Sequence, residues 1–245
     1  MIDYRPISFR FPISLVLSIV CLAVPAWADL EAGVDAYHRG DYATALREWR
    51  PLAELGDAAA QYNLGLLYAN GQGVPQDDAQ ARQWYEQAAA QGVASAQYNL
   101  GLLYANGQGV PQDNAQAGQW YAKAALQGHA KAQVDLGDLC IKGKGIPQDY
   151  TMAFFLCRLA ADQGNALAQV KLGRMYERGK GVPKDFVQAN MWYNLGAANG
   201  EKFGAELRDA LAKRMIPSQI AEAHKLAREL FEKADVQRYA DSRAA

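Results

Sequence analysis

The sequence predicts an all-α chain of stacked antiparallel helix pairs, and three observations carry that prediction. Residues 57–92 and 93–128 are each 36 long and match at 29 positions, and residues 129–164 and 165–200 keep the same period with more drift. Within each unit the apolar residues recur at helical spacing. Glycine and proline stand at fixed places between those runs, where they stop one helix and precede the next. A period of this length marks supersecondary units that cannot bury their apolar faces alone and so stack into one continuous core.

The elements follow in order. Residues 1–28 open with Arg5 and Arg10, continue through an apolar run from Ile13 to Val24 bracketed by Pro12 and Pro25, and end in Ala26-Trp27-Ala28. This is the three-part pattern of a secretory signal peptide. The run is short of the roughly 20 apolar residues that span a bilayer. Cleavage near Ala28 is therefore expected, leaving a chain from Asp29 without a membrane span, in the periplasm or secreted. Cys21 lacks the preceding small residue that a lipoprotein signal needs.

Residues 29–56 read as an N-terminal capping helix pair whose turn, His38-Arg39-Gly40-Asp41, is short. Each full unit (57–92, 93–128, 129–164, 165–200) reads as two helices. In the first unit Ala60, Leu64, Leu67 and Tyr68 share one face. Gly71 ends that helix, because glycine takes the left-handed cap conformation at least cost. The turn Gly71-Gln72-Gly73-Val74-Pro75 follows. Asp77 is placed to cap the second helix, with Gln80 completing a capping box; Asp113 with Gln116 and Asp185 with Gln188 repeat the pair, while Met152 breaks it in the third unit. The second helix presents Ala81, Trp84, Tyr85 and Ala88 to the core, and Trp84, Trp120 and Trp192 are expected to fill the space against the next unit. Residues 201–235 read as C-terminal capping helices over 202–213 and 217–233, and 236–245 as a frayed tail.

The motif Ala60-Gln61-Tyr62-Asn63-Leu64-Gly65-x-x-Tyr68, then Gly71-x-Gly73-Val74-Pro75-x-Asp77, then Ala81-x-x-Trp84-Tyr85-x-x-Ala88-Ala89-x-x-Gly92, resembles the Sel-one-like repeat, a relative of the tetratricopeptide repeat. It recurs four times across 57–200. The tail from Ile216 to Ala223 also resembles the closing segment of exported bacterial members. The resemblance implies a right-handed α-solenoid that works as an adaptor or scaffold, without implying a particular partner. A protein or peptide partner, no cofactor and no catalysis are expected because motifs for metal, phosphate and acid–base chemistry are lacking.

A second stripe lies opposite the core stripe of each first helix: Tyr62, Leu66 and Asn70; Tyr98, Leu102 and Asn106; Val134, Asp138 and Lys142; Val170, Arg174 and Arg178. In tetratricopeptide relatives this stripe lines the concave groove. Carried over by position, the groove is aromatic and uncharged in its N-terminal half and charged in the other. The tyrosines either anchor a partner there or pack against neighbouring helices; their recurrence in two units favours the groove.

Composition excludes some partners. The chain has 25 basic and 26 acidic residues, a balance unlike that of a nucleic-acid binder. Charge is uneven along it: residues 29–92 hold four basic and ten acidic groups, residues 165–245 fourteen basic and ten acidic. His38, His129 and His224 lie in different units without metal-ligand spacing. The Gly-x-Gly turns lack the Lys-Ser/Thr of a phosphate loop, and no carboxylate pair stands out as acid and base. Cys140 and Cys157 replace the tyrosines at the positions of Tyr68 and Tyr85. If Gly65 lies level with Ala81, the two thiols are offset by about 10 Å along the helices, beyond the reach of a disulfide, so two buried free thiols are expected.

Three functions remain: an adaptor holding a partner in its groove; a structural subunit of an envelope or polysaccharide-export assembly using its ends and convex face; and a binder or hydrolase of cell-wall fragments, which no residue constellation supports.

Overall fold

The computed structural model describes residues 28–244, and their side-chain surroundings as far as Lys233. The expected export signal therefore lies, but for Ala28, outside the described residues. Twelve helices and no strand occur among the described residues: α1 (Leu30–His38), α2 (Tyr42–Glu54), α3 (Ala58–Asn70), α4 (Asp78–Ala90), α5 (Ala94–Asn106), α6 (Asn114–Leu126), α7 (Ala130–Lys142), α8 (Tyr150–Asp162), α9 (Ala166–Arg178), α10 (Phe186–Ala198), α11 (Lys202–Ala212) and α12 (Pro217–Ala244). Each helix packs mainly on its neighbours in the chain, and this pairwise stacking makes the all-α solenoid. None of these helices is long and apolar enough to cross a membrane.

The helix ends follow from the sequence. Asp77 and Asp113 each accept from two backbone N–H groups of the first turn, and Asp149 and Asp185 from one. The return bond that would complete a capping box, from the Gln80, Gln116 or Gln188 side chain, is absent from the hydrogen bonds of the described residues, so capping is one-sided. Gly71 closes α3 at φ 65°, and its N–H donates to the Leu67 carbonyl; α5, α7 and α9 end the same way.

Inside a unit the two helices meet through a ring seated on a glycine. A Cβ on Gly65 would stand 2.4 Å from the Tyr85 ring, and one on Gly101 2.4 Å from that of Tyr121. Gly173 and Tyr193 repeat the seat, and Gly33 with Trp49 makes it in the N-terminal pair. In the third unit Cys157 replaces the ring, and the Gly137 position has 3.4 Å of clearance from its Sγ. Cys140 and Cys157 are both buried free thiols, as the register argument expects. Burial pushes the Cys157 thiol up to about 12, so it stays protonated.

Between units a buried glutamine does the joining. Gln61 donates to the Ala53 carbonyl at 3.1 Å, Gln97 to Ala89 at 3.2 Å, Gln133 to Ala125 at 3.2 Å and Gln169 to Ala161 at 3.1 Å. Each also accepts from the end of its own unit: Gln91, Gln127, Gln163 and Asn199, at 2.8–3.0 Å. Each of these carbonyls also accepts from a glycine N–H (Gly56, Gly92, Gly128 or Gly164), so removing a glutamine would take away one of two bonds, a loss of about 0.5–1.5 kcal/mol. The turn adds a second contact. A Cβ on Gly109 would fall 2.7 Å from the backbone of Asp78, at the start of the preceding unit's second helix; one on Gly73 would fall 2.9 Å from Tyr42, and one on Gly145 would meet Ala115 more closely still. The pair α1–α2, the first among the described residues, lacks the insert.

Two expectations need correction. Trp192 is 2% exposed, but Trp84 and Trp120 are only half-buried, and Leu156 occupies that position in the third unit. The last helix does not stop near 233. It continues to Ala244 in place of a frayed tail, because residues 218–244 contain neither glycine nor proline. α11 and α12 both pack on α10, where Ala223 and Ala227 of α12 join one buried cluster with Met191 and Leu195.

Candidate functional site

The second stripe of each first helix forms one surface, because successive first helices touch along it. Tyr98 on α5 donates from its hydroxyl to Asp135 Oδ2 on α7 at 3.0 Å, and Lys171 on α9 donates to Asp138 on α7. The stripe therefore runs across the units rather than along any one helix.

Its N-terminal half is aromatic. The Tyr62 ring packs against Tyr85 at 6.0 Å between centroids, and Tyr98 against Tyr121 at 5.8 Å. Tyr98 is also stacked on His129 at 4.6 Å. Both stripe tyrosines are half-buried, as are Leu66 and Leu102, while Asn70 and Asn106 are exposed. Burial raises the Tyr62 hydroxyl above its usual pKa, opposed by hydrogen bonding to Ser95 and Asn99. Burial also raises Asp135, opposed first by the Tyr98 hydroxyl. The rings thus pack within their own units on Tyr85 and Tyr121, and Tyr98 also reaches the next unit through the His129 ring and its bond to Asp135.

The C-terminal half is charged. Val134 and Val170 are buried and contribute to packing, whereas Asp138 is half-buried and Lys142, Arg174 and Arg178 are exposed. A cavity of about 320 Å³ opens between α7 and α9, lined by Asp138, Ile141, Lys142, Tyr150, Lys171, Arg174, Met175, Arg178 and Lys180. Asp138 is ion-paired with Lys171 and, at 3.8 Å, with Lys142. Among the described residues Arg174, Arg178 and Lys180 have no carboxylate partner; the Lys180 ammonium stands 4.5 Å over the Tyr150 ring.

Sequence reasoning missed Asp135, Lys171 and Lys180. A signal existed. The hydroxyl of Tyr98 meets Asp135, 37 positions on. That is one period plus the next residue along the helix, so the columns beside the stripe carry the partners. The histidines have separate roles. His129 caps α7 through Nδ1, which accepts from the Ala132 N–H at 3.2 Å, and His38 stands edge-on to Tyr37.

The outer face of the second helices differs between units. Met152, Phe155 and Leu159 form a stripe on α8 at i, i+3 and i+7, each at least half exposed. Two of the corresponding places on α10 are Met191 and Leu195, which are buried with α12.

Comparison with known proteins places the repeat. The family model described as the Sel1 repeat matches residues 58–93, 94–129, 130–165 and 166–201. No curated protein matches the chain significantly. Among solved structures, the chain is 34% identical to a protective antigen of uropathogenic Escherichia coli strains that displays an SLR fold, with a TM-score of 0.78. The match covers 88% of this chain and 47% of that one, so the chain spans about half that protein's length. A Sel1 repeat protein from Oxalobacter formigenes is 32% identical at a TM-score of 0.70, covering 80% of this chain and 85% of its own.

Proposed function

The chain belongs to the Sel1 repeat family, whose repeats generally mediate protein–protein interaction, and on that premise we propose that it is an exported adaptor that holds a partner protein or peptide along a concave groove formed by α3, α5, α7 and α9. One observation carries this reading. The second stripe of these helices is a connected surface whose tyrosines and leucines are half-buried and whose valines are buried, while Asn70, Asn106, Lys142, Arg174 and Arg178 remain exposed on it. The signal-like pattern of residues 1–28 supports export to the periplasm or beyond.

Affinity capture from an envelope extract tests it. The comparison is between the wild type, a Tyr62→Ala/Tyr98→Ala variant shown by circular dichroism to be folded, and an Asn70→Lys/Asn106→Lys variant that changes exposed residues only. A partner held by the wild type and lost from both variants is the expected result. A partner retained by both would remove the groove from the mechanism.

A second reading, the structural subunit, has its own observation in the exposed Met152, Phe155 and Leu159 of α8. On α10 two equivalent positions are covered by a helix; on α8 they face solvent. Phe155→Glu with Leu159→Glu should then abolish association while the groove variants leave it intact.

A further inference from the structure

We propose that the cavity between α7 and α9 is an anion-recognition site, and that the partner lying in the groove is an acidic peptide segment whose carboxylates sit against Arg174, Arg178 and Lys180. This rests on the groove reading and deepens it by naming the partner's chemistry.

The charge of the site is the first argument. Five cationic side chains line the cavity against one carboxylate, Asp138, which is already shared by Lys171 and Lys142. Arg174 and Arg178 stand one turn apart on α9, where like charges repel each other. The fold offers little in return: a cation in the last turn complements the helix dipole, which accounts for Lys142 and Arg178, but Arg174 lies a turn earlier, and Lys180, beyond the cap, has the Tyr150 ring and, among the described residues, no carboxylate. The same positions hold Leu66 and Asn70 in the first unit and Leu102 and Asn106 in the second, so the frame of the repeat does not require positive charge there. An external carboxylate would neutralise the cluster through charge-assisted, bidentate hydrogen bonds to guanidinium. The cavity volume is within the range of small binding pockets, roughly 300–1,000 Å³.

The second argument selects a peptide over an acidic polysaccharide. A chain of repeating acidic sugars would need cations along the whole groove. Here the N-terminal half carries Tyr62, Leu66, Tyr98 and Leu102 and no cation on the stripe. A peptide can match both halves, with apolar side chains against α3 and α5 and acidic ones against α7 and α9. Four first helices set about 10 Å apart span roughly 30 Å, which an extended segment of about ten residues covers at about 3.3 Å each.

The test is selection of binders from a displayed library of random decapeptides on the purified protein. Peptides rich in Asp and Glu over one half and apolar over the other are expected, and their binding should fall at least tenfold in an Arg174→Gln/Arg178→Gln variant and weaken as salt rises. Selected peptides without acidic enrichment that still depend on Tyr62 and Tyr98 would overturn the anion site and leave the groove reading standing. Failure to select any peptide would sink the groove reading itself. Binding of an oligomer of uronic acids, lost in the same variant and not competed by the selected peptides, would replace the peptide with a polysaccharide.

Discussion

Units 57–92 and 93–128 carry Tyr62 and Tyr98 on the stripe and polar outer faces on their second helices, apart from Leu126 at the end of α6. Units 129–164 and 165–200 carry Asp138, Lys142, Arg174 and Arg178 on the stripe, and apolar residues on the outer faces of α8 and α10. The frame is shared by both halves. The four glutamines from Gln61 to Gln169 bond alike, and the cap glycines of α3, α5, α7 and α9 have φ between 62° and 70°. What changes lies mostly outside these glutamine and glycine columns, although Cys157 and Leu156 replace the seated ring and the tryptophan inside the third unit. The difference teaches where to look for function in this molecule: in the columns that vary between units, not in those that recur.

The largest expected effect tests how far the frame is equal in the two halves. Trp192 is buried at 2% exposure between the fourth unit and its neighbours, whereas the equivalent Trp84 is half-buried. Trp192→Ala should cost about 3–5 kcal/mol. Trp84→Ala should cost less than half as much, because less surface is uncovered. Urea unfolding of the two variants decides it, and equal losses would mean that burial does not set the contribution of this column.

The seat between helices gives a sharper pair. Gly101→Ala would drive a Cβ to 2.4 Å from the Tyr121 ring and should destabilise the chain by about 1–3 kcal/mol, the usual range for overpacking. Gly137→Ala meets nothing closer than the Cys157 Sγ at 3.4 Å, with the Ala153 carbonyl at 3.6 Å and Leu156 Cβ at 3.8 Å, all ordinary contacts. There the better helix propensity of alanine, worth up to about 1 kcal/mol, should leave stability unchanged or raised. Opposite signs in thermal unfolding are the expected result. A loss at Gly137 as large as that at Gly101 would show that the glycine is needed for backbone contact and not for the ring.

Much of the frame was legible in the sequence because it depends on spacing within one helix. Gly71, Asp77 and the Leu64 face need no knowledge of a neighbour. The seat of Tyr85 on Gly65 was not legible, since it depends on the register between two helices. The role of Gln61 was hidden because a glutamine reads as a surface residue; only its recurrence at 97, 133 and 169 hinted at a buried bond. The stripe itself could be drawn from helical period. Its partners Asp135 and Lys171 come from the next unit at an offset of 37 or 33 residues, so helical period alone does not reach them and only the column beside the stripe, one period on, points to Asp135. The length of α12 escaped because the tail leaves the repeat and with it every positional guide.

The smallest expected effect separates the third unit from the fourth by pH. α7 is capped by His129 and α9 by Asn165, whose side chain accepts from the Ala168 N–H at 3.0 Å. The His129 cap requires an unprotonated Nδ1. Burial, and then the nearby Lys131 charge, hold this histidine below its ordinary value. The folded state therefore binds its proton less readily than the unfolded chain. The stabilisation is complete above the unfolded value near pH 6.5 and is lost as pH falls through the lower folded value. Asp135, raised by burial, acts in the opposite direction, so the comparison must be made against a variant and not on the wild type alone. His129→Asn keeps an acceptor at the cap and removes its titration. Between pH 7.5 and pH 5, the wild type should lose stability relative to this variant by something on the order of 1 kcal/mol, the worth of one cap. Parallel unfolding curves at both pH values would show that the Ala132 N–H finds another acceptor when the imidazole is charged, and that the third unit is no more sensitive to acid than the fourth.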